Sequence, residues 1–184
     1  IRISGDVNIG AVTLYINYDA DYLTYNSYAA GASFGGTYAG TPATGTLSLV
    51  WSSYPGVVCS DELFGTINFT FNGGSGALAF DEANCELANE LAIIYTSVTY
   101  NDGSYSGSFG ELHSIAVGGN WSTASTWTEN TVPSKAYNVT ITGDVVTIGT
   151  GEAAACNNLT INDGGQLTLE AGKAGITING DYSI

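Results

Sequence analysis

Apolar and polar side chains alternate, residue by residue, along one segment after another of this chain. Val12, Leu14 and Ile16 alternate with Thr13, Tyr15 and Asn17; Leu47, Leu49 and Trp51 follow the same rule. So do Ile67, Phe69 and Phe71, then Leu78 and Phe80, then Val98 and Tyr100. A two-residue period sends alternate side chains to opposite faces of an extended strand, so each segment has one face to bury. Antiparallel strands of this kind pair into sheets, and two sheets facing each other close a core. Gly-rich breaks separate them, at Gly31 to Gly40, at Gly73-Gly74 and at Asn101-Asp102-Gly103. Helical periodicity is scarce. Its best stretch, Glu82 to Leu91, is short and reads as a turn of helix or a loop. The fold class expected is all-β, beginning with a two-sheet sandwich.

The pattern changes after about Gly107. Aromatic residues thin out beyond Trp127, and short Thr/Ile segments recur: Asn138 to Gly143, Asn158 to Gly164 and Gly175 to Gly180. Their central isoleucines, Ile141, Ile161 and Ile178, stand 20 and then 17 residues apart. A period near 20 residues marks a β-solenoid, in which no rung buries its apolar side alone and stacking does so. Second strands of the rungs are expected at Val145 to Ile148 and Gln166 to Leu169. The domains predicted are a sandwich over 1–107, a linker over 108–118 and a short β-solenoid-like domain over 119–184.

Charge narrows the choice of partner. There are 17 acidic residues against three basic ones, Arg2, Lys135 and Lys173, for a net charge of −14. Phosphate backbones and anionic membrane surfaces need clustered Lys or Arg, and none exists here. Proteins, sugars and calcium are the partners this charge permits. Charged residues are only 11% of the chain, so Ser, Thr, Asn, Gly and Tyr must supply the polar surface, as suits an extracellular or cell-surface protein. Methionine is absent, and neither a secretory signal nor a membrane-length apolar run occurs, which reads as a processed chain or a piece of one. Four glycosylation sequons occur, at Asn68, Asn120, Asn138 and Asn158. Cys59, Cys85 and Cys156 match no metal spacing. A Cys59–Cys85 disulfide in an oxidising compartment and three buried thiols are both open readings.

Two resemblances follow from particular runs. Asn8 to Leu14, Asn17 to Tyr25 (Asn-Tyr-Asp-Ala-Asp-Tyr-Leu-Thr-Tyr), Gly65 to Phe71, and Phe80-Asp81 with Cys85-Glu86-Leu87 resemble a cohesin domain, a carbohydrate-binding-module-like β-sandwich of bacterial extracellular proteins. The resemblance implies a jelly-roll β-sandwich; cellulosomal members bind dockerin modules, and many others have no known dockerin partner. The family starts with a longer first strand than Ile1 to Ser4. Gly119 to Trp127 (Gly-Asn-Trp-Ser-Thr-Ala-Ser-Thr-Trp), Thr131 to Ser134 and Cys156 to Ile161 resemble repeats of large secreted Bacteroidetes proteins, found in adhesins, surface layers and carbohydrate-active multidomain proteins. That likeness implies a β-solenoid and carries no catalytic residue.

Candidate chemistry is thin. His113 is the single histidine, and no Ser or Cys nucleophile motif surrounds it. The carboxylate pairs Asp19/Asp21, Asp61/Glu62 and Asp81/Glu82 have the residue type for glycoside hydrolysis. Calcium at one of these loops would need about six oxygen ligands, and none shows the Asp-rich loop with Gly. Trp51, Trp121 and Trp127 form a sugar-stacking platform if exposed. The alternation makes Trp51 a core residue, and the repeat pattern makes the other two caps of the first rung. Tyr15, Tyr18, Tyr22, Tyr25, Tyr28 and Tyr38 crowd the first forty residues as a protein-contact surface or a sandwich rim.

The function expected is that of a non-enzymatic structural or adhesive surface protein with no cofactor. Its partner would be other copies of itself in a head-to-tail homo-polymer built by strand addition, with Ile1, Ile3, Ile176, Ile178 and Ile184 in the assembly strands. The alternative is a protein- or carbohydrate-binding module of a larger secreted protein.

Overall fold

The computed structural model describes residues 1–172 and 174–184; Lys173, one of the three cations, lies outside them. It divides into two compact units, Ile1–Phe71 with Ser75–Ser106, and Asn72–Gly74 with Gly107–Ile184.

The first unit is built on β1 (Arg2–Asn17), β2 (Leu23–Ala30), β3 (Tyr38–Ala43), β4 (Thr46–Leu63), β5 (Gly65–Phe71), β6 (Gly74–Phe80), β7 (Glu86–Ala88) and β8 (Gly103–Gly107). One sheet runs β3-β4-β1-β6-β8, with β7 also on β1; the other holds only β2 and β5. Strands β1 and β4 pair antiparallel from Arg2–Leu63 to Asn17–Thr46. Their alternating residues Val12, Leu14, Ile16, Leu47, Leu49 and Trp51 form the core with the buried Phe34 and Phe64. Phe34 meets Trp51 and Phe64 edge-on, each at 4.9 Å between ring centroids. A register shift between Ser4 and Val7 in β1 is a bulge, and Gly5 there takes φ 125°, which only glycine accepts easily.

Three expectations for this unit are corrected. The first strand is not the short Ile1 to Ser4 but the long β1, because the bulge lets it turn and continue. Glu82 to Leu91 begins with the expected turn, closed by the Cys85 N–H on the Asp81 carbonyl at 3.0 Å, but goes on into the strand β7, since Leu87 and Ala88 are drawn into the core against β1. Val98 and Tyr100 pack on the core with the expected alternation, yet their segment joins no strand.

The second unit follows a different rule. It contains β9 (Gly110–His113), β10 (Gly119–Asn120), β11 (Tyr137–Ile141), β12 (Val145–Ile148), β13 (Ala153–Cys156), β14 (Leu159–Ile161), β15 (Gln166–Leu169), β16 (Gly175–Ile178) and β17 (Tyr182–Ser183). Every strand pair in it is parallel, in three stacks: β9-β11-β14-β17, β10-β12-β15 and β13-β16. Each circuit of the chain thus adds a strand to successive stacks, and the enclosed side chains are Leu112, Trp121, Trp127, Val139, Ile141, Val146, Ile148, Cys156 and Leu159. The strands at Val145 to Ile148 and Gln166 to Leu169 stand where the sequence puts them.

The repeat assignment shifts in two places. Ile141 lies opposite Ile161, but Ile178 lies opposite Cys156 in another stack, and β17 takes the position above β14. The 17-residue spacing therefore compares strands of different faces. Residues 108–118 are no bare linker either: Gly110–His113 pairs with Tyr137–Thr140 because Leu112 is buried in the second core.

Candidate functional site

In the first unit, β1 and β5 touch at one point and then diverge. The Ile1 nitrogen donates to the Gly65 carbonyl at 2.7 Å, and the Phe64 N–H donates to the Ile1 carbonyl at 3.0 Å. Beyond this contact β1 from Arg2 to Ile9 has β4 as its one strand partner among the described residues, since β7 joins it at Ala11 and β6 at Ile16; the Tyr95 hydroxyl donates to the Asn8 carbonyl at 2.8 Å. Strand β5 pairs with β2 alone among the described residues. Two strand edges therefore flank a groove of about 880 Å³.

The six-stranded sheet has a wider inner face than two strands can cover, and the groove is the uncovered part. Its floor is Ile3, Ile9, Leu14, Ile16 and Leu87, with Ile67 and Phe69 on one wall and Val98 and Tyr100 on another. None of its lining residues is Asp, Glu, His or Cys, and Arg2 is the single ionic side chain. Arg2 is exposed and holds the Asp61 carboxylate through Nε at 2.8 Å and Nη2 at 3.0 Å. That contact holds the Asp61 carboxyl below the usual carboxylate range. Burial pushes the Tyr100 phenol up, with Cys85, Glu82 and Glu86 adding to it, so it stays neutral. Such a lining can bind apolar groups and backbone, and Ser4, Thr66, Ser97 and Thr99 add neutral hydroxyls to it.

The sequence-predicted residues mostly lie elsewhere. Ile1 and Ile3 do line the groove, but they are tied into the sandwich and are not free donor strands: Ile3 is 8% exposed and opposite Glu62. Ile176 and Ile178 are half-buried against the second core, while Ile184 is 89% exposed. The three tryptophans are no platform, at 5%, 1% and 1% exposure for Trp51, Trp121 and Trp127. Of the tyrosines, Tyr18, Tyr25 and Tyr28 pack on the core, and Tyr28 donates to the Phe64 carbonyl at 2.7 Å; Tyr38 is exposed.

The Cys59–Cys85 pairing is corrected: all three cysteines are free. Cys59 stands opposite Val7, whereas the Cys85 sulfur accepts from the Tyr15 N–H at 3.2 Å. At about 3.3 Å per residue these points lie more than ~20 Å apart along β1. A disulfide needs Cα atoms within about 7 Å.

The carboxylate pairs serve local structure. Asp19 Oδ1 accepts from the Asp21 N–H, and Asp81 Oδ2 accepts from Asn84, both at 2.8 Å. Among the described residues no three His, Cys, Asp or Glu side chains converge as a metal site. His113 Nδ1 lies 2.8 Å from Glu129 Oε1 on the surface. Of the sequons, Asn68 and Asn120 are exposed. Asn138 and Asn158 are half-buried, with Asn138 donating to Glu111 and Asn158 accepting from the Asp181 N–H. Sequence reasoning did not find the groove, because which strand edges stay unpaired is decided by long-range pairing.

No protein-family pattern matches the chain, and no curated protein sequence is similar to it. Solved structures are similar in fold. A chain of the CaDoc0917–CaCohA2 complex superposes on 56% of this chain and 82% of its own length, with a TM-score of 0.50 and 19% identity. The solution structure of CaCohA2 from Clostridium acetobutylicum matches 59% of this chain and 81% of its own, at 0.49 and 16%. A non-cellulosomal cohesin from the archaeon Archaeoglobus fulgidus matches 56% and 73%, at 0.48 and 14%. At these identities the likeness establishes the fold alone. The protein is nearly all β, and its structural neighbours are cohesin domains of the jelly-roll β-sandwich type.

Proposed function

We infer that this chain is a non-catalytic, extracellular binding module whose sandwich captures a protein partner in the groove between β1 and β5. The carrying observation is that groove: about 880 Å³, with an aliphatic floor and neutral hydroxyl and amide groups at its rim, and with no acidic side chain in its lining in a chain of charge −14. Two further points support the reading. CaCohA2, with which the sandwich shares its fold, is solved together with the partner CaDoc0917. The buried tryptophans leave a protein in preference to a sugar as the ligand. The second unit reads as a short β-solenoid of the secreted-repeat kind.

The test is selection of displayed short peptides on the immobilised chain. Binders should be lost on Ile67→Lys, which places a charge on the groove wall, and a glycan array should stay blank. Binders indifferent to Ile67→Lys, or none, would remove this reading.

Head-to-tail assembly is the second reading. It would use strand addition to the last strands of the stacks, β15, β16 and β17. A net charge of −14 on each copy opposes it. Sedimentation at high protein concentration decides: a monomer excludes the fibre, and polymers that vanish on deleting Gly180 to Ile184 support it.

A further inference from the structure

We propose that residues 96–101 are a movable strap: closed, they wall the groove through Val98 and Tyr100, and they swing away to admit the partner. The proposal rests on the reading of the groove as a protein-binding site and adds how entry to that site is controlled.

The sides of the groove differ in what holds them. Ile67 and Phe69 stand on β5, whose backbone is paired to β2 from Gly65–Ala30 to Phe71–Leu23. The floor residues Ile3, Ile9, Leu14 and Ile16 stand on β1, which β4 pairs from end to end. The remaining wall is Ser97, Val98, Thr99, Tyr100 and Asn101. It belongs to no strand, and among the described residues no backbone–backbone hydrogen bond joins residues 96–101 to the rest of the chain. One wall of the groove is therefore held by side chains alone.

The two ends of this segment are fixed. Before it, the Tyr95 N–H donates to the Leu87 carbonyl at 2.9 Å and the Tyr95 hydroxyl to the Asn8 carbonyl at 2.8 Å. After it, Asp102 Oδ1 accepts from the Phe80 N–H at 2.8 Å, and β8 begins at Gly103. A stretch pinned at both ends, with no ladder bonds between, opens without breaking a sheet, and such stretches occupy the low end of local stability.

The closing contact is small and apolar. Val98 and Tyr100 are half-buried on the sandwich core, and the Tyr100 ring meets Phe80 at 5.4 Å and 42°. Thr96, Ser97, Thr99 and Asn101 are exposed, so their polar groups stay in water whether the strap is closed or open. Opening uncovers apolar floor, which disfavours the open state in the free chain. A partner whose apolar groups take the places of Val98 and Tyr100 restores that cover and shifts the population toward the open state.

The test uses the full chain, methyl-labelled, and the peptides recovered by display. Exchange on the μs–ms scale is read by relaxation dispersion. The Val98 methyls should show it, and the Val12 and Leu49 methyls of the core should not. Detaching the strap with Val98→Ala and Tyr100→Ala together should tighten peptide binding about tenfold or more, because the closed fraction no longer competes. Flat dispersion at Val98, or exchange shared equally by Val12 and Leu49, overturns the strap. Binding that is unchanged or weakened in the double variant also overturns it, since Val98 and Tyr100 would then be a fixed wall that the peptide touches. If no peptide depends on Ile67 while Val98 alone exchanges, the protein-binding reading fails and the moving strap stands.

Discussion

Replacing Trp127 by Ala tests whether the paired tryptophans hold up the second unit or serve as a surface platform. Trp127 is 1% exposed, its ring meets Trp121 at 5.2 Å and 79°, and its Nε1–H donates to the Trp121 carbonyl at 3.0 Å. A buried indole removes about 200 Å² from water, worth roughly 5 kcal/mol at ~25 cal/mol per Å². Measured Trp-to-Ala losses of about 3–5 kcal/mol agree with this. The Trp121 carbonyl also loses its donor, for about 1 kcal/mol more. Trp127→Ala is therefore expected to cost about 4–5 kcal/mol, a large part of the roughly 5–15 kcal/mol that holds a domain together. Trp127→Phe keeps the ring contact and should cost about 1–2 kcal/mol. Native-state hydrogen exchange at Val139, Ile141 and Ile148, read against urea unfolding followed by circular dichroism, reports the second core. A loss below ~1 kcal/mol for Trp127→Ala, or equal losses for Ala and Phe, would refute this account of the core.

The remaining expectations are brief. Burial pushes the Cys156 thiol up to about 11, so native protein at pH 8 should leave it unalkylated, and denatured protein should yield three free thiols by mass; a Cys59–Cys85 peptide would contradict the register. The Gly56 N–H holds the Glu90 carboxyl below its usual range, with Asn8 assisting. Its folded pKa is depressed, so its contribution is complete above the unfolded value of about 4.3 and is lost as pH falls through the folded one. An acid titration of the Gly56 amide should show this, and Glu90→Gln should flatten it. A Cβ on Gly31 would lie 1.7 Å from the Leu63 carbonyl oxygen, so Gly31→Ala should lower the melting temperature of the sandwich by several degrees or prevent folding. With 17 acids against three bases, added NaCl should raise stability by screening self-repulsion, and a salt-induced loss would mean that ion pairs such as Arg2–Asp61 outweigh the repulsion.

The sequence made the strands legible where one face is buried, as at Val12 to Ile16, Leu47 to Trp51 and Val145 to Ile148, because burial imposes the two-residue period directly. Strand partners were less legible. Ile178 looked equivalent to Ile161 by its neighbours Thr177 and Asn179, yet partner choice is fixed by how many residues each corner uses, and the corners differ in length. Leu87 and Ala88 were hidden in a polar stretch because three residues are too few to show a period. The groove has no local signature at all. It exists because β7 reaches β1 only at Ala11 and because β5 has β2 as its one neighbour, facts of pairing across scores of residues.

How so few charges suffice is answered by the polar residues that replace them. On the parallel stacks, Asn162 donates to Thr142, Asn157 to Asn138 and Ser183 to Thr160, each bond joining one circuit to the next. The neutral groups Asn, Ser and Thr recur at matching positions because parallel pairing sets like side chains over one another, and neutral partners tolerate that stacking where like charges would repel. The sandwich follows a related rule at Asn26 with Thr70 and at Asn68 with Ser27. Such surfaces need no cations for cohesion, so the acids are free to crowd the exterior and disfavour self-association. In that setting the groove of the sandwich, which has no acidic residue in its lining, is where the proposed partner would meet the least repulsion.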